Sequence, residues 1–374
     1  MFIHLRNNVE IVLISFLFVG LVYSSFSRWS FGYEYEDTVV YSWYAIDSDI
    51  PASTQEFRTN VLESINNEVV RHHYPGHFVT YGLFLKMFIF DIYENRPDLI
   101  HKTANSFLLL TCLIILCCCN MKLQAILFLS AMSTQYVLGS SLAENLSVFF
   151  ALTLLLAMKY SRYVLAIILL TCLVLVKRDS LIYVFPVFVL LLREKKLNML
   201  ILLSFILALY MLIINPFYTE IIESEGLGRP SFSQYNFLTQ SPYYFAFALS
   251  PFITPFVFMD FTKDKLLLAT LILGLLMYSV HYRSYYILNG LEQFKEFHSW
   301  RYLYNLIPLI LVMNVRIKRK YIIVLATFIS IFNLYRLDLL LAEEDHMYRN
   351  GDYINSEFYI KSELNRAFLD LNNE

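Results

Sequence analysis

Long apolar runs separated by short turns that carry lysine or arginine are the feature that most limits what this chain can become. In hydrocarbon each backbone N–H and C=O must be paired inside its own structure, which leaves helices and closed barrels as the forms that span. Barrel strands would alternate apolar and polar residues, and these runs do not, so they read as helices crossing a core that takes about twenty residues. Composition agrees: 57% of residues are apolar, 16% are charged, and the mean hydropathy is +0.52, far from a soluble domain's mixture. Acidic and basic residues nearly balance, 31 against 29, so no basic surplus speaks for a nucleic-acid partner.

The expected fold is all-α, a polytopic membrane protein of about eleven transmembrane helices with an extracytoplasmic first loop that contains juxtamembrane helices. Spans are expected over Val9–Phe26, Leu99–Cys119, Gln124–Ser141, Asn145–Met158, Tyr163–Val176, Ser180–Leu192, Leu197–Asn215, Pro242–Phe261, Leu266–His281, Tyr302–Val315 and Tyr321–Leu341. Residues 1–341 then form one transmembrane domain whose first outer loop is 27–98, and 342–374 form an extracytoplasmic tail.

The run Phe78–Phe90 decides the topology. It contains Lys86 and, at about 1.5 Å per residue, covers about 20 Å of a core about 30 Å thick, so it reads as a helix lying along the surface. With that run flat, the turns at Lys122, at Lys159 and Arg162, at Arg193, Lys195 and Lys196, at Lys263 and Lys265, and at Arg316, Lys318, Arg319 and Lys320 all face the cytoplasm. That is the side on which short loops are enriched in lysine and arginine. The first run follows His4 and Arg6 like a signal peptide, yet it lacks a small-x-small cleavage site and reads as a retained anchor starting in the cytoplasm. All five cysteines, Cys112, Cys117, Cys118, Cys119 and Cys172, lie inside apolar runs. They read as small apolar fillers, not as a disulfide framework.

Polar residues that do not anchor cytoplasmic turns gather on the opposite side. The first outer loop carries Glu34, Glu36 and Asp37 just beyond the first span, either as a solvated turn beside an aromatic belt or as a carboxylate base or metal ligand. The stretch Arg71-His72-His73-Tyr74-Pro75-Gly76-His77 sets a cation and three imidazoles before a turn. Adjacent histidines do not share a helix face, so contact with phosphate or sugar hydroxyls is favoured there over zinc. Glu144 tops a hairpin with apolar flanks, as a helix N-terminal acid or as a catalytic or metal-binding carboxylate. Lys177-Arg178-Asp179 interrupts an apolar stretch between the basic turns at Arg162 and Arg193, which forces a hairpin and sets three charges near the outer surface, where a bound anion would offset their cost. Arg301 and Tyr302 open a later span on the same side.

In this order the motifs resemble those of the type C glycosyltransferase superfamily and are similar to those of the protein O-mannosyltransferases and the bacterial lipid A aminoarabinose transferases. The residues that carry the likeness are Glu36-Asp37, His73-Tyr74-Pro75-Gly76, Glu144, Lys177-Arg178 and Arg301-Tyr302. It covers roughly the first half of the chain and then Arg301–Pro308, and Pro75-Gly76 stands where the family has Pro-Pro. The resemblance implies transfer of a sugar from a polyprenyl-phosphate donor to a hydroxyl of a glycan, lipid or protein, at the outer face of a bacterial inner (plasma) membrane. Asp37 is then the general base, with Glu36 its competitor. Lys177, Arg178, Arg301 and Arg71 would bind the donor phosphate, and His73, Tyr74, His77, Glu144 and Tyr302 the substrates. The resemblance fixes no cofactor, and a divalent metal on Asp37 and Glu144 is a further reading. A repeat-unit polymerase of O-antigen or exopolysaccharide would use a lipid diphosphate and carry its main loops in the latter half. A non-enzymatic transporter of lipid-linked glycans would show paired internal repeats with interrupted helices.

Overall fold

The computed structural model describes residues 2–26, 84–88, 98–139, 144–214, 253–281, 304–316 and 318–332. Among these the regular structure is helical, apart from one isolated antiparallel bridge between Met259 and Val315. The helices are α1 (Phe2–Phe26), α2 (Asp98–Cys118), α3 (Lys122–Ser130), α4 (Met132–Gly139), α5 (Glu144–Lys159) and α6 (Tyr163–Val176). They are followed by α7 (Val184–Arg193), α8 (Leu197–Leu209), α9 (Ile253–Phe258), α10 (Lys265–His281), α11 (Ile307–Val312) and α12 (residues 319–332). Among the described residues two stretches, Val9–Phe26 and His101–Cys118, are long and apolar enough to cross a membrane.

Three successive hairpins close with one device. At Asn120, Ser161 and Lys195 the backbone turns left-handed, with φ of 58°, 56° and 53°. In each, that residue's N–H and the next one reach back to the preceding turn: Met121 N–H to Leu116 O at 2.8 Å, Arg162 N–H to Ala157 O at 2.8 Å, Lys196 N–H to Leu191 O at 2.9 Å. These are Schellman turns, which satisfy carbonyls that a helix end would otherwise orphan. A non-glycine residue in this conformation costs about 1–2 kcal/mol, so helix packing must hold each turn in place.

The turns gather at one end of the bundle. The Tyr160 hydroxyl meets Cys119, and Lys196 stands 5.6 Å from the Tyr163 ring centroid. At the same end buried Glu10 of α1 pairs with Arg319 at the start of α12. The chain around α9 and the chain after α11 are clasped there by the Asp260 N–H to Asn314 O bond at 2.7 Å and by Asn314 donating to Asp264. The basic turns foreseen from the sequence thus share the end at which α1 begins.

Ser25, at the far end of α1, lies among the opposite helix ends. Its Oγ donates to Leu138 O of α4 at 2.8 Å, and its carbonyl accepts from Lys102 Nζ of α2 at 2.7 Å. A cation on a last-turn carbonyl complements the helix dipole. The end of α1 and the start of α2 therefore lie beside each other. The described piece of the run Phe78–Phe90 lies against α2: the Phe88 ring packs 5.5 Å from Phe107, and Leu85 is buried.

The core is built on short helices. All six residues of α11 are buried, and it packs against α3, α5, α9 and α10. The peripheral helices turn large apolar side chains outward at helical spacing, as Val9, Val12, Phe16, Val19 and Tyr23 do on α1, and Tyr321, Val324, Phe328 and Ile331 on α12. Such stripes face inward in a helix packed in water.

Several drawn spans differ in form. Gln124–Ser141 is broken at Ala131, whose backbone is extended at ψ 127°. Ser130 Oγ donates to Leu127 O, and Gln135 Nε2 donates to Leu129 O at 3.3 Å, side-chain competition that ends a helix. Leu197–Asn215 ends in a π-helical turn, Tyr210–Ile214. Ser180–Leu192 begins as a 3-10 turn, Arg178–Tyr183. Within Tyr302–Val315 the described residues turn at 305–306 and then form the helix Ile307–Val312, with Pro308 in its first turn, where the missing N–H costs nothing.

Candidate functional site at the α5–α6 end

Glu144 opens α5, and Lys177 is the residue that closes α6, with extended backbone at φ −148° and ψ 118°. Their side chains meet, Nζ to Oε1 at 3.1 Å, and are 8% and 4% exposed. An acid at a helix N-terminus and a cation at a C-terminus each suit the local dipole. The pair therefore clamps the two ends of one hairpin, whatever else it does. Directly after Lys177 the 3-10 turn Arg178–Tyr183 carries Asp179 in its first turn.

Two tyrosines pin the neighbouring segment to this pair. The Tyr304 hydroxyl donates to Asn145 Oδ1 at 2.7 Å, and its ring stacks on Phe128 of α3 with centroids 6.3 Å apart. The Tyr183 hydroxyl donates to the carbonyl of Asn305. Both tyrosines are fully buried, and a buried phenol without a partner would be costly. The chain leading into α11 is thereby held between the start of α5 and the 3-10 turn after α6. Lys102 and His101, fully buried in the first turns of α2, line the same end of the bundle.

No family model, curated protein or solved structure matches the chain. The site therefore stands on its own geometry.

Of the residues singled out from the sequence, Glu144 and Lys177 are brought together, and Arg178 is described through its backbone at the start of the 3-10 turn. Glu36, Asp37, Arg71, His73, Tyr74, His77, Arg301 and Tyr302 lie outside the described residues. Among the described residues no three His, Cys, Asp or Glu side chains converge on a metal position. Glu144 already holds an ammonium where a divalent ion would need its charge, so this carboxylate fits a metal poorly as it stands. Reading the sequence missed Asn145, Tyr183, Tyr304 and Asn305. The available signal was a polar residue directly after Glu144, and Tyr304-Asn305 just before an otherwise apolar stretch.

Chemically, the layer joins one buried ion pair to a set of neutral donors and acceptors.

Proposed function

We propose that this chain is a multi-pass glycosyltransferase of a bacterial inner membrane, which moves a sugar from a polyprenyl-phosphate donor to an acceptor hydroxyl on the extracytoplasmic side. The observation that carries the reading is a convergence. Glu144, Lys177 and the backbone of Arg178 meet at one layer, and Tyr304 and Asn305 tie to that layer the segment that follows Arg301 and Tyr302. Arg301 precedes Tyr304 by three residues, a reach of at most about 11 Å. The membrane setting is supported by the outward apolar stripes and by the basic turns collected at the opposite end.

In this reading the acceptor oxygen attacks the anomeric carbon while Asp37, or Glu36 in its place, takes the hydroxyl proton. The anomeric C–O bond breaks, its electron pair leaves with the lipid phosphate, and the anomeric centre inverts. Lys177, Arg178, Arg301 and Arg71 stabilise the added charge on the phosphate. Glu144 keeps Lys177 in place, and His73, Tyr74, His77 and Tyr302 contact the substrates.

One observation favours a second reading. The break at Ala131 interrupts an apolar helical stretch, as in transporters whose sites lie at discontinuous helices. A transporter of lipid-linked glycans would move its cargo without covalent change.

The experiment is to reconstitute the full chain in liposomes with a panel of polyprenyl-monophosphate and polyprenyl-diphosphate sugars. Release of free polyprenyl phosphate from monophosphate donors is expected. Consumption of diphosphate donors alone would favour a polymerase, and translocation of intact donor would favour a transporter.

A further inference from the structure

Asn145, Ser180 and Asn305 carry polar atoms that the fold leaves unmatched. Their exposures are 2%, 0% and 1%. Asn145 Nδ2, Ser180 Oγ and both amide atoms of Asn305 have no hydrogen-bond partner among the described residues. All three flank the polar layer: Tyr304 holds Asn145, the Asn305 carbonyl accepts from Tyr183, and the Ser180 N–H donates to the Lys177 carbonyl at 3.0 Å. Leaving such groups buried and unbonded costs free energy, so native structures supply a partner from water or ligand.

The atoms discriminate between ligand chemistries. A phosphate oxygen only accepts, so it can serve the two amide NH2 groups but never Asn305 Oδ1, which needs a donor. Because both ends of that amide are unmatched, the conclusion holds whichever way the amide is turned. A hydroxyl donates and accepts at once, and a sugar ring presents several of them at short spacing.

We infer that Asn145, Ser180 and Asn305 form the sugar-reading surface of the site, bonding the hydroxyls of the lipid-linked sugar while the Lys177 side holds the phosphate. The inference rests on the transferase reading above. It adds that sugar selectivity is set by the neutral residues beside the ion pair and not by the charged ones.

The test measures equilibrium binding of two kinds of probe to the reconstituted full chain: bare undecaprenyl phosphate, and its glucosyl, mannosyl and N-acetylglucosaminyl esters. Wild type is compared with Asn145→Ala, Ser180→Ala and Asn305→Ser. Each substitution is expected to weaken binding of the preferred ester by about three- to tenfold, as for loss of one neutral hydrogen bond, with affinity for the bare lipid unchanged. Ser180→Ala deletes only a hydroxyl, and bare-lipid binding reports directly whether each variant still folds. Equal losses on both probes, no loss on either, or a wild type that binds every ester no better than the bare lipid would overturn the inference and leave these atoms to ordered water. A wild type that binds no probe at all would instead sink the transferase reading.

Discussion

Lys177 and Glu144 are 33 residues apart in the chain and 3.1 Å apart in space, one closing α6 and the other opening α5. Charges this well shielded gain from their mutual attraction but lose hydration, so the net stability of the pair is small while the cost of breaking it is large. Sequence patterning alone marked both as charges that lipid should forbid. The structure adds that each is the other's counterion.

Replacing one partner should therefore be far worse than replacing both. Lys177→Met is expected to cost about 3–5 kcal/mol, and Glu144→Leu with Lys177→Met to restore most of it, read as thermal unfolding in detergent. If sugar transfer stays lost in the stable double variant, the pair serves chemistry as well as folding. Recovery of both would make it a hairpin clamp only.

Gly274 of α10 lets α11 come close. A Cβ there would lie 2.7 Å from Leu306 Cδ2, and Leu306 is buried next to Asn305. Gly274→Val should destabilise by about 1–3 kcal/mol through overpacking, and adding Leu306→Ala should recover part of that loss. A Gly274→Val protein as stable as wild type would show that the Leu306 side chain gives way there.

Asp260 stands in the turn after α9 ends at Phe258. The Thr262 hydroxyl, which donates to it at 2.6 Å, holds its carboxyl below the ordinary range, aided by the Thr262 N–H and Lys263. A lowered folded-state pKa contributes stability that is present above the unfolded value and lost as pH falls through the folded one. Protection of the Thr262 amide from hydrogen exchange should therefore hold at neutral pH and be lost only as pH falls below the ordinary carboxylate range. Asp260→Asn should abolish the pH response, and a response that persists in that variant would assign it to another group.

The sidedness of the bundle is testable by labelling. With Cys112, Cys117, Cys118, Cys119 and Cys172 replaced, Ser161→Cys and Glu194→Cys should react with an impermeant maleimide from the cytoplasmic face alone. Tyr93→Cys should react from the other face. Labelling of all three from one face would contradict the arrangement.

Hydrophobic runs and basic turns make most helices and their alternation readable, because both signals are local. The hairpin top at Lys177-Arg178-Asp179 was legible for the same reason: charge inside an apolar stretch has few places to go. The break at Ala131 was not, since hydropathy does not register that Ser130 and Gln135 draw backbone carbonyls away from the helix. Nor was the Tyr304–Asn145 pin, which joins residues 159 apart and has no periodicity to announce it. The candidate site was thus half visible. Its charges stood out against lipid, while the neutral residues that organise them looked like ordinary helix polar residues.

The most direct test of the whole account is sugar release from a polyprenyl-phosphate donor by reconstituted wild type and Asp37→Asn, with Glu36→Gln alongside. Transfer by wild type, abolished in Asp37→Asn with unfolding temperature and donor binding unchanged, is the predicted result. Undiminished turnover in both carboxylate variants, or no transfer by wild type from any monophosphate donor, would contradict it.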